Sequence, residues 1–408
     1  MLTVEQAQKK ILSLQSHHPV SEVPLEEALN YILAQEIKAP LDLPPFSSSA
    51  MDGYALYYED GKRASKDQPV VLKIVDDIWA GKSSLKTIGR GECARIMTGA
   101  LMPRNANAVV MQENVRLSDG TITLQNTVKS GDNVRFQGEE LKAGDVALQK
   151  GHLIKSATLG FLASLGLTKI PVIQKPKVTI IATGSELVLP GTILERGQIY
   201  ESNSIAMKAA LQEILIEPRV IGPLPDEKNI IFNAISDALK VSTHLIVCGG
   251  VSVGDYDLNK GILADCQVEP HFWKVAQKPG KPFFFGTKGS TLVFGVPGNP
   301  VSSLICFHNY IRPVLLKSMG YPEECFFLKE DIAFLTHDLP PKKPGKIYFE
   351  RARVFFEDKK LQVSLMAAQG SHMMKAFAAS NCLARIEPEQ GMKKGDPVTI
   401  QWLPSVLP

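Results

Sequence analysis

The sequence predicts a multidomain α/β and β protein in which a doubly wound parallel sheet is flanked by β-rich regions. The chain has 408 residues, more than one ordinary domain of ~100–200 residues. Between about residues 176 and 320, continuously apolar runs alternate with helical periods, whereas short β-rich runs lie on either side. Because apolar strands that alternate with helices specify a parallel sheet covered on both faces, we expect the order mixed, β, α/β, β.

Composition excludes several classes of protein. Hydrophobic residues make up 44% and charged residues 21%, which excludes long disordered regions. Lys+Arg 45 against Asp+Glu 42 gives +3, too little to predict binding to nucleic acid or to a membrane. The most apolar stretch, 157–167, is shorter than the ~20 residues of a membrane helix. An early Glu5 argues against a signal peptide, and six cysteines without a CxxC suit reduced thiols, so we expect a cytoplasmic protein.

The first elements read as two helices and a linker. Thr3 and Gln6 suit a capping box at the start of the first helix. Pro24 is expected to open a second helix, PLEEALNYILAQ, with two glutamates in its first turn. Residues 40–49, PLDLPPFSSS, predict a rigid linker or an extended loop.

The next segment, to about residue 137, predicts a small β unit. Its four short runs are PVVLKIV (69–75), ECARIM (92–97), ANAVVMQ (106–112) and GTITLQN (120–126). Residues 139–173 are again mixed and include a helical stretch at 157–167.

The α/β region and the last eighty residues complete the order. In the α/β region, the predicted strands are 178–184, 218–224, 243–250 and 291–298. They alternate with predicted helices at 202–215, 226–239, before Cys266, and at 299–320. After it, IYFERARVFF (347–356), LQVSLMA (361–367) and DPVTIQW (396–402) predict a C-terminal β region.

Two of the predicted strands end in loops suited to a phosphate. Ligands of a doubly wound sheet bind beyond the carboxyl ends of its strands. In CGGVSVGDYD (248–257), the glycines let backbone N–H groups approach a phosphate. Asp255 and Asp257 offer carboxylates for the Mg²⁺ that accompanies such a phosphate. ATGSEL (182–187) offers hydroxyls and amides. An ordinary helix cap and an ordinary turn with solvated acids remain the alternatives.

Two further loops suit an oxyanion. In GVPGNPVSS (295–303), Asn299 fits a helix N-cap and Pro300 the first helical position, so that the helix start and Ser302 form an anion seat. KPGKP (278–282) carries two lysines on a turn stiffened by proline, which concentrates positive charge. A buried helix cap and a solvated turn are the simpler interpretations. Together the loops predict a crevice for a polyanionic ligand.

SSSAMDGYA (47–55) and RIMTGA (95–100) stand outside that domain, and each could be a plain turn or strand end. With these motifs, GGVSVGD, KPGKP, GVPGNPVSS and a C-terminal QGSH (369–372) in this order, the chain resembles the molybdopterin molybdenumtransferases. This is the MoeA family, to which the E domain of gephyrin also belongs, and the resemblance covers nearly the whole chain.

The resemblance implies four domains and a homodimer. The domains would be an N-terminal mixed domain (1–45 and 139–175), an inserted β-rich domain (46–138), a molybdopterin-binding α/β domain (176–323) and a C-terminal β domain (324–408). The active cleft would lie between the α/β domain of one subunit and the β insertion of the other. The adenylyltransferase that supplies the substrate and the molybdoenzymes that receive the product are candidate partners.

The implied reaction takes adenylyl-molybdopterin and molybdate, releases AMP and places molybdenum on the dithiolene sulfurs, with Mg²⁺ as the expected cofactor. Carried over motif by motif, the anion-binding residues are Lys278, Lys281, Pro282, Ser302, Arg351 and Ser371. The residues that would bind molybdopterin and AMP are Thr183, Gly184, Gly249, Gly250, Ser252, Gly254, Pro297, Asn299 and Pro300. The catalytic candidates are Asp257, Glu186, Asp226, Asp52 and Thr98, with Glu140 as a further one, and Asp257, Asp226 and Glu186 would hold the metal.

The chain departs from the family pattern near the β insertion. Phe136 and Gln137 stand where relatives often carry further arginines, and Asn107 and Ser185 stand where an acid is common. Two other functions stay open: a molybdopterin adenylyltransferase, which is built around the α/β domain alone, and a non-catalytic scaffold like the gephyrin relative.

Overall fold

The computed structural model describes residues 1–15, 19–82, 86–250, 258–387 and 391–404, without the side chains of 258–260. The chain divides into two compact units. We call Met1–Val23, Ala28–Ala34 and Pro171–Pro408 the large unit, and Pro24–Glu27 and Gln35–Ile170 the small unit. The four predicted domain boundaries are finer than this division and stay a prediction.

The N-terminal elements confirm one predicted helix and correct another. They are α1 (Val4–Ser13), β1 (Val20–Pro24) and β2 (Ile37–Lys38). Thr3 and Gln6 form the predicted capping box, with Thr3 Oγ1 accepting from Gln6 N at 3.2 Å. The helix expected from Pro24 is wrong, since only Leu25–Glu27 forms a 3₁₀ turn. Asn30 adopts a left-handed φ of 63°, and Ile32 and Ala34 bond instead to Ile173 and Pro171.

The small unit is built around a six-stranded sheet. The elements of residues 46–138 are β3 (Ser48–Ser49), β4 (Gly53–Leu56), α2 (Tyr58–Gly61), β5 (Val70–Ile78), β6 (Glu92–Ile96), β7 (Ala108–Met111), β8 (Val115–Ser118), β9 (Thr121–Leu124) and β10 (Val134–Arg135). The sheet order is β7-β4-β6-β5-β9-β8, and β3 pairs separately with β10. The predicted β unit is therefore confirmed. After it come β11 (Val146–Leu148), the expected helix α3 (Ser156–Ser164) and β12 (Lys169–Ile173).

The α/β part of the large unit follows the predicted alternation. Its elements are β13 (Val178–Thr183), β14 (Leu187–Val188), β15 (Ile199–Tyr200), α4 (Asn203–Glu213), β16 (Arg219–Leu224), α5 (Lys228–Val241), β17 (His244–Cys248), α6 (Leu258–Asp265), β18 (Glu269–Lys274), β19 (Gln277–Lys278), β20 (Pro282–Lys288), β21 (Thr291–Val296), α7 (Pro300–Cys306) and α8 (Arg312–Ser318). A π-helical turn, Phe307–Ile311, joins α7 to α8.

The main sheet of this part has the order β16-β13-β17-β21-β20-β18. The first four strands are parallel, as predicted, whereas β20 and β18 are antiparallel to their neighbours. The reason is that the connections from β18 to β20 and from β20 to β21 are both short, because a parallel return needs a crossover of a dozen or more residues.

Hydrophobic clusters cover both faces of this sheet. Ile180 and Phe283 lie in a cluster with residues of α1, α4, α7 and α8, whereas Ile181 and Phe284 lie in one with residues of α5 and α6. Neighbouring residues of one strand thus pack on opposite faces, which is the doubly wound architecture expected.

The C-terminal part of the large unit is a second sheet. Its elements are β22 (Glu330–Leu335), β23 (Ile347–Glu357), β24 (Lys360–Leu365), α9 (Met374–Ala378), β25 (Cys382–Ile386) and β26 (Pro397–Trp402). The order is β19-β23-β24-β22-β26-β25, and β23 also pairs with β25, so the sheet closes on itself. β19 adds to its edge by parallel pairing of Gln277 with Ile347 and of Lys278 with Tyr348.

All six cysteines are free, and five of them are buried. In the part of the chain that the structure describes, no helix is long and apolar enough to cross a membrane.

Candidate functional site

The carboxyl ends of β13, β17 and β21 bring the predicted loops together. From β13 the chain passes to β16 on one side and then to β17 on the other, so the strand order reverses at β13. Gly249 N donates to Val296 O at 3.1 Å, and Gly184 N donates to Leu224 O at 3.0 Å. The loops that follow these strands thus share the crevice in which such sheets bind ligands.

Glycine is required where the second loop leaves β17. Gly249 has a φ of 95°, and a Cβ on it would lie 2.6 Å from Thr183 O. Gly250 also has a positive φ, of 61°. The buried Thr183 donates its hydroxyl to Cys248 O at 3.4 Å. The backbone of the two loops therefore runs closer together than side chains would allow.

Ser185 and Asp226 are joined by reciprocal hydrogen bonds beside these strand ends. Ser185 N donates to Asp226 Oδ2 at 3.1 Å, and Asp226 N donates to Ser185 Oγ at 2.8 Å. Glu186 is the next residue along the chain. Two of the three predicted metal ligands, Asp226 and Glu186, are thus the hydrogen-bond partner and the chain neighbour of Ser185.

The third predicted metal ligand lies outside the described residues, namely Asp257, as do Asp255, Ser252 and Gly254. Among the residues that the structure does describe, no three His, Cys, Asp or Glu side chains form a group that could hold a metal ion.

A cavity of about 530 Å³ collects most of the predicted anion-binding residues, and we call it the binding cavity. Its walls come from the 277–282 segment, the start of α7 and the QGSH loop. The predicted residues that line it are Lys278, Lys281, Pro282, Pro297, Asn299, Ser302 and Ser371. Segments that are up to a hundred residues apart in sequence therefore meet at one concave surface.

The start of α7 forms one wall. Asn299 occupies the N-cap and Pro300 the first helical position, as predicted, but the Asn299 side chain makes no capping hydrogen bond. Val301 N donates to Ser371 O at 3.2 Å, which ties the QGSH loop to this helix. Ser302 is buried against the cavity. The positive end of the helix thus faces the same space as Ser302.

Arg351 holds the QGSH loop from behind instead of lining the binding cavity. Its Nη2 donates to Ala368 O and to Gly370 O, each at 3.0 Å, while its backbone exchanges hydrogen bonds with the Gln369 side chain. Arg351 is 1% exposed, and burial lowers the pKa of its guanidinium. It lines a second cavity, of about 360 Å³, which shares Lys278 with the first.

Two cavity residues lie outside every motif that sequence reasoning singled out, namely Gln277 and Lys346. Lys346 had a signal, because Lys343–Lys346 repeats the tetrapeptide Lys-Pro-Gly-Lys of Lys278–Lys281. The parallel pairing of β19 with β23 sets Gln277 beside Ile347, and Lys346, the residue before Ile347, thereby reaches the cavity that Lys278 also lines.

In the small unit, the two predicted candidates Asp52 and Thr98 are in direct contact. Asp52 Oδ1 accepts hydrogen bonds from Thr98 N and from Thr98 Oγ1, both at 2.7 Å. These bonds, first the one from the backbone, lower the pKa of the Asp52 carboxyl, so the side chain is a carboxylate at neutral pH. The AMDGY and MTGA motifs thus form one local arrangement.

Two of the departures from the family pattern, Asn107 and Gln137, make structural hydrogen bonds in the same unit. Asn107 Oδ1 accepts from Tyr58 N at 2.8 Å at the start of α2. Gln137 bonds through Nε2 to Asp42 at 2.7 Å and through its backbone to Ser47 Oγ at 3.1 Å. Phe136 is half exposed, and Glu140 is exposed.

Family models match three parts of the chain. The MoeA N-terminal region, domains I and II, matches residues 2–166; the probable molybdopterin binding domain matches residues 179–317; and the MoeA C-terminal region, domain IV, matches residues 335–403.

Relatives and solved structures match nearly the whole chain. A molybdopterin molybdenumtransferase of Haemophilus influenzae is 36% identical and covers 98% of each chain. A molybdopterin molybdenumtransferase 2 of Mycobacterium tuberculosis is 36% identical over 95% of each. The crystal structure of a molybdopterin biosynthesis MoeA protein from Pyrococcus horikoshii has a TM-score of 0.85 and 30% identity over 99% of this chain and 100% of that one.

Proposed function

The chain belongs to the MoeA family of molybdopterin molybdenumtransferases, and from that premise we propose how it inserts molybdenum into molybdopterin. It is a transferase of molybdenum cofactor biosynthesis. The reaction takes adenylyl-molybdopterin and molybdate, cleaves the phosphoanhydride with release of AMP, and leaves molybdenum on the two dithiolene sulfurs.

The observation that carries this proposal is the binding cavity. Molybdate is a tetrahedral dianion, and it needs positive charge and hydrogen-bond donors on several sides. Lys278 and Lys281 supply ammonium groups, Ser302 and Ser371 supply hydroxyls, and the start of α7 supplies the positive end of a helix. Pro282 completes the wall, and Arg351 fixes the loop that carries Ser371.

The loops after β13, β17 and β21 are suited to the molybdopterin and AMP part of the substrate. Their glycines open the backbone to a phosphate group, as at Gly249 and Gly250. The residues assigned to this part are Thr183, Gly184, Gly249, Gly250, Ser252, Gly254, Pro297, Asn299 and Pro300.

Mg²⁺ fits the carboxylates assigned to cleavage of the phosphoanhydride. Asp226, the hydrogen-bond partner of Ser185, and Glu186, the residue after Ser185, offer hard oxygen donors, and Asp257 is the third assigned ligand. When bound there, the ion would neutralise negative charge on the phosphate oxygens as AMP leaves. Ser185 N donates to Asp226 Oδ2, and the Asp226 backbone N donates to Ser185 Oγ, so one oxygen of this carboxylate is held in place before the ion arrives.

We also propose that the protein acts as a cytoplasmic homodimer. Asp52 and Thr98 of one subunit would then contact the ligand held by the α/β part of the other. Exposed apolar side chains on 189–200, among them Leu189, Ile193 and Ile199, are the kind of surface that a second copy covers. Sedimentation at micromolar concentration checks this proposal, and a mass of one chain contradicts it.

Matches beyond the α/β domain favour this step over the two alternatives. An adenylyltransferase needs only the domain matched at 179–317, whereas this chain also matches the N-terminal and C-terminal regions. A scaffold would not need the lysines at 278 and 281, which are both present and both face the cavity.

The test measures AMP release by the purified chain given adenylyl-molybdopterin, molybdate and Mg²⁺. We expect one AMP for each molybdenum transferred, and Asp257→Asn should abolish AMP release without changing the oligomeric state. Formation of adenylyl-molybdopterin from molybdopterin and ATP would instead identify an adenylyltransferase, and no reaction with either pair would support a scaffold.

A further inference from the structure

A fully buried glutamine lies directly beneath the two lysines of the binding cavity. We call Lys278–Lys281 the first KPGK turn. Gln277 precedes it and is 0% exposed, yet its side chain is polar. Its Nε2 donates to Pro279 O at 3.0 Å and to Gly280 O at 3.4 Å, so the amide bonds to both central residues of the turn.

The orientation of this amide is fixed by its surroundings. Backbone carbonyls only accept hydrogen bonds, so the NH₂ group must face Pro279 and Gly280. Its Oε1 then faces the Tyr310 hydroxyl, which donates to it. Burial raises the pKa of Tyr310 well above its ordinary value, so this hydroxyl remains a donor.

The partners of Gln277 are themselves immobilised. Tyr310 is 1% exposed and stacks on Phe283, with ring centroids 4.7 Å apart. Cys306 Sγ lies 3.7 Å from Gln277 Nε2 and 3.6 Å from Gly280 O. Both Tyr310 and Cys306 belong to the helical segment that begins at the cavity wall, so the turn and that wall share one buried network.

We propose that Gln277 is a positioning residue that sets affinity for the oxyanion by fixing the first KPGK turn. Through Gln277, the Tyr310 hydroxyl determines where the carbonyls of Pro279 and Gly280 lie. The position of these carbonyls in turn determines where the backbone of Lys278 and Lys281 lies, and so the points from which their side chains extend into the cavity. The inference rests on the proposed function, because it assigns these lysines to molybdate.

Three variants test the proposal by calorimetric titration with molybdate. Gln277→Met keeps the length of the side chain and removes its donors, and we expect the Kd for molybdate to rise about tenfold. Tyr310→Phe keeps the ring stack and removes one hydroxyl, with an expected rise of about threefold. Because Tyr310 acts through Gln277, the double variant should be no weaker than Gln277→Met alone.

Turnover and a matched control separate positioning from general loss of stability. In Gln277→Met, the KM for molybdate should rise while kcat at saturating molybdate changes less than about twofold. Gln401→Met removes another buried glutamine, whose Nε2 bonds to Glu330 at 3.0 Å, and should leave molybdate affinity unchanged.

The outcomes distinguish the two proposals. Wild-type protein that does not bind molybdate would overturn both the proposed function and this inference. Wild-type binding with an unchanged Kd in Gln277→Met, additive effects in the double variant, or an equal loss in Gln401→Met would overturn the positioning role alone.

Discussion

The tetrapeptide Lys-Pro-Gly-Lys occurs twice in the large unit, and the two copies have different surroundings. The first KPGK turn, Lys278–Lys281, lies over Gln277, Cys306 and Tyr310. The second, Lys343–Lys346, precedes β23, and its residues 343–345 are exposed. Identical residues therefore form one turn held by a buried network and one turn on the surface.

The two glycines show this difference most clearly. Both have a positive φ, 86° at Gly280 and 74° at Gly345. A Cβ on Gly280 would lie 2.6 Å from Gln277 Nε2 and 2.8 Å from Cys306 Sγ, whereas a Cβ on Gly345 would meet nothing within 4 Å. Neighbours, not the local sequence, thus determine how strictly a turn is specified.

The largest expected effect comes from Gly280→Ala. It combines a left-handed alanine with overpacking against a buried network, and we expect a loss of about 3 kcal/mol in the free energy of unfolding. Gly345→Ala carries only the backbone cost, about 1 kcal/mol. Urea denaturation of both variants checks the difference, and equal losses would show that the buried network does not constrain the first turn.

The next effect concerns charge. Lys281→Ala removes an ammonium group from the binding cavity, and we expect kcat/KM for molybdate to fall by ~10–100-fold, which corresponds to ~1.5–3 kcal/mol. Lys343→Ala removes a positive charge from the exposed turn, at the position that corresponds to Lys278, and should cost less than about threefold. Initial rates at varied molybdate provide the measurement, and a reversed order of the two variants would assign the oxyanion to the second turn.

The smallest expected effect is a pH dependence of stability. It concerns the helical segment that supports the first KPGK turn but not the second. His308 lies in it, and burial, with Arg312 nearby, lowers the pKa of this imidazole to about 3. The unfolded chain then binds a proton that the folded chain does not, between pH 6.5 and about 3, so stability falls as the pH decreases through this window.

Between pH 6.5 and 5, His308 should account for about 1.6 kcal/mol of lost stability. Denaturant titrations of wild type and His308→Gln at both pH values measure it. Between these pH values, His308→Gln should lose about 1.6 kcal/mol less free energy of unfolding than wild type. Equal losses in the two proteins would mean that His308 is protonated in the folded state.

Much of the architecture was predictable because it depends on local sequence. Continuous apolar runs such as 178–183 and 291–296 specified buried parallel strands, and Pro300 marked the start of α7. The helix expected from Pro24 failed because Ile32 and Ala34 bond to Ile173 and Pro171, a pairing with a segment more than 130 residues away. Local propensity cannot report such a partner.

The residues of the site likewise include some that were predictable from local sequence and some that were not. Loops that carry glycine, lysine or a helix start were recognisable as single motifs, and the binding cavity joins three of them. Lys346 was missed because only the pairing of β19 with β23 brings it there, and Gln277 because a buried amide leaves no pattern in the sequence. Arg351 was expected at the cavity wall, yet it supports Gly370 from behind.

The most direct measurement is an anomalous difference map, at the molybdenum edge, from crystals of this protein soaked in molybdate. The account predicts one strong peak inside the binding cavity, within hydrogen-bonding distance of Lys281 Nζ and Ser302 Oγ. A cavity without a peak at saturating molybdate, or a peak beside the exposed Lys343 turn instead, would contradict it.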